Sequence, residues 1–466
     1  RWWRQEVAEY PNLPAATLFP GDPVVAGTMK FGAPALPSSG AVSPFTGVAN
    51  PFAYVAFLGT AQKQGAERYN DSRIFLSQVT IGGAGAVTVT DPISNPNDTL
   101  MPKGKPSIVQ AGRNATVFWS IAGTGQSGLQ YATTDGAVWS PTRTIDVGPG
   151  FENVSSPHAV GRVYRGVGAP GTPGTGQNMI ELAFVGKLRG MPSSDIYLGR
   201  LAASGAGVAT GQVFFPTIQN EFLVADREVG TYRSSGVSWN RRGTVQLRYS
   251  LNGGALVDIE VPNTRQQDQS TGIWTFDTTL GGKAYVDPNL GTVRLANTLP
   301  SRGGQLFLTY QPRFLRVSSG GAAYNNPSLM FDNRLIGELS YWATAANTAI
   351  NPNTDVVRPS RFIFTYGRAA SGNQVNRPFM QTVRAGIQLP SAIATNPDGT
   401  LVGLTVTGAT SYYQVDPANG RLYFTDADEN RTISVAYTGF NDAGVPVAYA
   451  NTPYTTGLLS ERLCFL

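Results

Sequence analysis

Two carboxylates stand at matching points of two similar strings: Glu181 precedes Leu182, Ala183 and Phe184, and Glu338 precedes Leu339, Ser340 and Tyr341. A pair of carboxyl groups facing one cleft is the minimal set for general acid and base work, as in glycoside hydrolysis. On inner strands around a central channel, Glu181 and Glu338 would form such a pair; their recurrence at one position of a repeat favours an architectural role instead. A second acidic group, Asp426, Asp428 and Glu429, offers the hard oxygens that calcium prefers. It lacks the other positions of a calcium loop, so a hairpin turn competes with Asp426 and Asp428 as cation ligands. His158 is the single histidine, which removes histidine-based metal clusters and leaves any Ser-His-Asp triad hanging on one residue. Following Pro157 at the opening of a strand, it reads as a surface or packing residue. The string from Gly123 to Gly128 has dinucleotide-loop spacing, yet a strand beginning at Leu129 follows it where a helix would be needed.

The elements that must position these groups are repeats. Pro106, Ser107, Ile108 followed by Phe118, Trp119, Ser120 recurs as Pro327, Ser328, Leu329 followed by Tyr341, Trp342, Ala343. Ala56, Phe57, Leu58, Gly59 and Ala183, Phe184, Val185, Gly186 fit the second half of that template. The strands after them also match: Ser72 to Ser77 against Ser194 to Gly199. Phe57, Phe118, Phe184 and Tyr341 are separated by 61, 66 and 157 residues, so the last interval holds an insertion comparable to a small domain.

Composition agrees with a turn-dense all-β chain. Of 466 residues, 54 are Gly and 32 Pro, with 41% hydrophobic and only 14% charged, against about 25% charged in an average soluble protein. The net charge of +5 comes from scattered arginines, with no basic run interleaved with aromatics, so nucleic acid is not an expected partner. A lone cysteine, Cys464, excludes a disulfide framework within the chain. No apolar stretch approaches the roughly 20 residues of a membrane helix. The start at Arg1, without Met, suggests that a leader or anchor was removed or that the sequence is a fragment of a longer protein; the expected location is extracellular or at the cell surface, with membrane association only through a segment outside this sequence.

The expected fold is a β-propeller-like repeat body carrying two small, Ig-like β-sandwich modules. Residues 1–50, rich in proline, read as an extended segment laid over other surfaces. Blades follow over 51–221, an inserted module over 222–316, a further blade over 317–383, a second module over 384–440 and an apolar tail over 441–466. The two modules share a signature: Val286, Asp287, Pro288, Gly291 and later Leu306 to Tyr310 reappear as Val415, Asp416, Pro417, Gly420 and Ile433 to Tyr437. In each, Asp-Pro and Gly make a tight turn between two strands. The rival architecture is a string of β-sandwiches.

Thr133, Asp135, Gly136 and Trp139 resemble the Asp-box turn of sialidase-like (Asp-box/BNR) β-propellers, in the segment 106–145. The box reads Ser or Thr, any, Asp, any, Gly, any, any, Trp; here one residue is missing between Asp135 and Gly136. The resemblance implies a structural hairpin in which the carboxylate holds backbone and the Trp packs between strands. It implies a propeller fold and leaves activity open, because no arginine cluster or tyrosine stands in a recognisable family context.

No cofactor is expected. The functional expectation is a secreted, non-enzymatic surface or filament-forming protein, partnered by itself or by surface glycans. The alternative is a carbohydrate-binding or sialidase-like glycoside hydrolase.

Overall fold

A computed structural model describes residues 16–20, 24–27, 52–63, 72–81, 87–90, 93–95, 103–111, 114–123, 126–164, 177–203, 209–297, 299, 304–318, 322–331, 361–369, 376–410, 413–424 and 428–464. These residues form antiparallel sheets joined by turns, without an α-helix among them. The protein is all-β. The chain divides into two compact units: Arg1–Val147 with Phe151–Val213 and Ala323–Leu329, and Gly148–Gly150 with Phe214–Ala322 and Met330–Leu466.

The first unit holds three meander sheets in chain order. In the first, Phe52–Lys63 pairs with Ser72–Ile81, which pairs with Val87–Val89 and Ile93–Ser94. The second runs Ser107–Ala111, Asn114–Gly123, Gln126–Thr134, Arg143–Ile145. The third begins Phe151–Tyr164, Gln177–Leu188, Asp195–Ala203, Ala209–Val213. Neighbouring strands are sequence neighbours, as in propeller blades. The first strands adjoin one another: Ser107–Ala111 touches Val24–Gly27 of the sheet before it and Phe151–Tyr164 of the sheet after it. This stacking makes the body β-propeller-like.

Part of the proline-rich start belongs to that body. Ala16–Pro20 and Val24–Gly27 pair along Phe52–Lys63 as the leading edge of the first sheet, instead of lying across other surfaces. An added strand satisfies backbone groups that an overlaid segment would leave to water.

The repeat visible in the sequence is reproduced in register. Phe57 lies opposite Phe75, Phe118 opposite Tyr131 and Phe184 opposite Tyr197. Each pair stacks, with ring centroids 5.7, 5.6 and 5.9 Å apart, a geometry that adds to the burial of the rings themselves. The facing of the pairs differs. Tyr54, Ala56, Ile74 and Leu76 of the first sheet share one core with Val117, Trp119, Ala132 and Trp139 of the second. Phe57 and Phe75 pack on the opposite face of the first sheet, with Val55. Matching faces of the first two sheets therefore meet, and the Phe57 and Phe118 pairs point away from that shared core. The second sheet is buried on both sides, Val117 and Trp119 on one, Thr116 and Phe118 on the other, which explains its near-continuous apolar run.

The second unit contains two modules. In the first, Gly304–Tyr310 pairs with Ile218–Phe222 and Gln246–Leu251, and a second sheet is built around the hairpin of Lys283–Asp287 and Thr292–Leu295. In the second module Thr432–Phe440 pairs with Thr405–Thr407, and the hairpin is Tyr413–Asp416 with Arg421–Phe424. The two Asp-Pro turns are anchored alike. Asp287 Oδ1 accepts from Asn289 N at 2.9 Å, and Asp416 Oδ1 from Asn419 N at 3.2 Å. Carbonyls of Pro288 and Gly291 accept from Trp239 and Ser234; those of Pro417 and Gly420 accept from Ile393 and Leu389. Gly291 and Gly420 have φ of 66° and 61°, and a Cβ on either would meet a backbone oxygen, of Gly236 or Ser391, at 2.3 or 2.2 Å. Only glycine meets both demands. The modules pack on each other through Phe222 and Phe307 of the first with Leu389, Tyr449 and Tyr454 of the second.

One boundary drawn from sequence falls within a strand. Position 383/384 falls inside one strand, Asn376–Gln388, because its N-terminal half pairs with Arg361–Ala369 and its last residues with Arg421–Phe424. Within the C-terminal tail, Pro446–Thr455 pairs with Thr432–Phe440, and Gly457–Cys464 with Asn376–Gln388. The apolar character at this end reflects strands within sheets.

Candidate functional site

The turn after strand Gln126–Thr134 is built by Asp135. Its Oδ1 accepts from the backbone N–H groups of Ala137 and Val138, each at 2.9 Å. Those bonds, Val138 first and Ala137 second, hold the carboxyl below its ordinary range, since charge-assisted bonds favour the ionised form. Gly136, with φ 93°, turns the chain, and its N–H donates to Thr134 Oγ1 at 3.1 Å. Tyr54 of the first sheet donates its hydroxyl to the Asp135 carbonyl at 2.9 Å. Thr133 is tied to the returning strand from both ends: Ser140 N donates to its carbonyl, and its own N–H donates to Ser140 Oγ. Trp139, 6% exposed, fills the core between the first and second sheets. The cluster fastens a hairpin.

Glu181 lies on Gln177–Leu188, the second strand of the third sheet, and is fully buried. Glu181 is therefore closed to solvent. Its register partner Arg200 places Nη2 3.2 Å from Oε1, itself 2% exposed. A charge at this depth requires such a partner. Its sequence counterpart Glu338 lies outside the described residues.

Asp428 is likewise buried and occupied. Its carboxylate accepts from Thr410 N at 2.9 Å, Thr410 Oγ1 at 2.6 Å and Arg431 Nη1 at 3.1 Å. Asp426 lies outside the described residues. Neighbouring Glu429 receives Arg361 Nη2 at 3.0 Å on both oxygens, with Arg361 fully buried. Among the described residues no group of three or more His, Cys, Asp or Glu is arranged to hold a metal ion. No helix among them is long and apolar enough to cross a membrane.

His158 sits on strand Phe151–Tyr164, where its Nδ1 accepts the backbone N–H of Leu329 at 3.0 Å. Burial, then the nearby Lys105 charge, lowers its pKa to about 4. At neutral pH the ring is uncharged and spent on a backbone bond. The structure thus keeps Glu181, Asp428 and Asp135 in separate surroundings, each with its own protein partners.

One polar centre escaped the sequence reading. Tyr310 donates its hydroxyl to Glu221 Oε2 and accepts from Gly236 N at 2.9 Å, while Glu221 Oε1 accepts from Ser235 N at 2.7 Å. Burial raises the Glu221 pKa, against the lowering effect of its Tyr310 and Ser235 bonds and the Arg316 charge. Burial and the Glu221 carboxyl push the Tyr310 phenol well up. The pair clamps the chain at 234–236 onto strand Gly304–Tyr310. A usable signal was the match of Tyr310 with Tyr437 between the modules: Tyr437 also reaches back, its hydroxyl 3.3 Å from Ser391 Oγ.

No protein-family model matches this chain. No curated protein matches it either. Among solved structures, the hemagglutinin-neuraminidase ectodomain of parainfluenza virus 5 is similar over 88% of this chain and 80% of that chain, at 10% sequence identity and a TM-score of 0.24.

Proposed function

We propose that this protein is a secreted, non-enzymatic structural protein of the cell surface or of a filament, whose propeller-like body and paired modules serve self-assembly or adhesion. One observation carries the reading: the groups best suited to chemistry are consumed in holding the frame. Glu181 is matched to Arg200, Asp428 to Thr410 and Arg431, Asp135 to its own turn, and His158 to Leu329. Buried charges bound in this way, as at Glu181 and Asp428, are held in one arrangement.

Light scattering of the intact chain over a wide concentration range is the primary test, with a panel of sialosides and bacterial glycans beside it. Reversible or filamentous association, or glycan binding without turnover, supports the proposal. A monomer at every concentration that binds no glycan overturns it, and so does hydrolysis of any sialoside, which would favour a glycoside hydrolase.

A further inference from the structure

Ala323–Leu329, part of strand Ala322–Phe331, is tied to the third sheet as a strap. Tyr324 exchanges bonds with Ser194: its N–H donates to the Ser194 carbonyl at 3.3 Å, and Ser194 Oγ donates to its carbonyl at 3.0 Å. Ser156 Oγ and Asn326 Oδ1 are 3.4 Å apart. The last tie is Leu329 N–H to His158 Nδ1, with Leu329 2% exposed. A backbone amide can only donate, so this bond exists solely while Nδ1 carries a lone pair. An imidazolium has a proton on both nitrogens and would set N–H against N–H.

We propose that His158 is an acid-sensitive latch, whose protonation releases the strap Ala323–Leu329 from the third sheet. Among the described residues, nothing shown rescues the charged ring. Lys105, ahead of strand Ser107–Ala111, repels it. Opposite on the neighbouring strand stands Ala183; two residues along, the Glu181 carboxylate on that face is already matched to Arg200. Along Ala323–Leu329 the sole titratable side chain is Tyr324. The other strap bonds involve hydroxyl, amide and backbone groups that do not titrate in acid, so His158 alone confers pH dependence on this contact.

The sign follows from linkage. The latched ring has a pKa of about 4 against 6.5 for a free one, so the released strap binds the extra proton between those values. Its opening constant rises toward tenfold per pH unit between those values, about fortyfold in all from pH 6.5 to 4.5.

Hydrogen exchange with mass spectrometry on the full chain, expressed as protection factors, reads this directly. The strap amides bound to the third sheet, those of Tyr324 and Leu329, should lose about fortyfold in protection over that interval, while amides of Gln177–Leu188 keep theirs. His158→Asn retains an acceptor near Nδ1 without titrating, and should hold the strap at both pH values. An equal loss in this variant, or no loss in the wild type, overturns the latch. Because His158 is the only histidine, protein labelled at histidine with nitrogen-15 provides an independent reading that needs no variant. At pH 7 its Nδ1 should be unprotonated; a proton there sinks the proposal.

Discussion

Ala159 donates its backbone N–H to Ser107 Oγ across 2.9 Å, and both residues are buried. The residue before it, His158, accepts from Leu329. Two repeated strings, Pro106-Ser107-Ile108 and Pro327-Ser328-Leu329, are thereby fastened to one dipeptide of strand Phe151–Tyr164. Replacing Ser107 by Ala strands a buried N–H and should cost about 1–3 kcal/mol, read as a lower urea midpoint at unchanged slope. A variant with wild-type stability would show that this seam contributes nothing.

Glu181 and Arg200 give a sharper contrast between frame and chemistry. Glu181→Gln leaves the guanidinium buried and unmatched, and the expected loss is about 3–5 kcal/mol. The double variant Glu181→Leu with Arg200→Met should regain most of that loss in a thermal melt. A catalytic carboxylate would behave otherwise: its removal would abolish turnover without large destabilisation.

The two module turns should respond alike to one added methyl. Gly291→Ala and Gly420→Ala each place a Cβ at positive φ and against a backbone oxygen, costing more than about 1–2 kcal/mol. The same change at Gly444, where φ is 73° and no atom lies within 4 Å of the added Cβ, carries the dihedral cost alone. Calorimetric melting temperatures should rank Gly444→Ala above the other two.

Acid should weaken the Asp135 turn. Its folded pKa lies below 3.8, so its contribution is complete above that value and is lost as pH falls through the depressed one. Asp135→Asn keeps an acceptor and removes the titration. Near-ultraviolet dichroism of Trp139 followed from pH 5 to 2 should differ between the two proteins; superimposable curves would dismiss the carboxylate's role.

The all-β class was legible because alternation and turn residues are local properties. The aromatic repeat was legible too: Ala56-Phe57-Leu58 and Ala183-Phe184-Val185 occupy the same register against Phe75 and Tyr197. Facing was not legible. In a strand a one-residue shift exchanges the two faces, and aligning Phe118 with Phe57 preserves the ring pair while concealing that matching faces of the two sheets meet. Ion pairs such as Arg361 with Glu429 also left no mark, since residues 68 apart become neighbours only through the sheet between them. The turn at Asp135 does not depend on the residue missing from the box, because its contacts to Ala137 and Val138 lie within three residues.

The second sheet of the first unit, packed on both sides, also bears on how this lineage can change. Substitution at Val117, Phe118 or Trp119 disturbs one packed interior or the other, so those positions are closed to drift. The exposed tip at Ala137 and Val138 contributes mainly its main chain to Asp135 and can accept almost any residue. Diversity among relatives should accumulate at such hairpin ends, where new surface chemistry can be tried while the layers beneath stay constant.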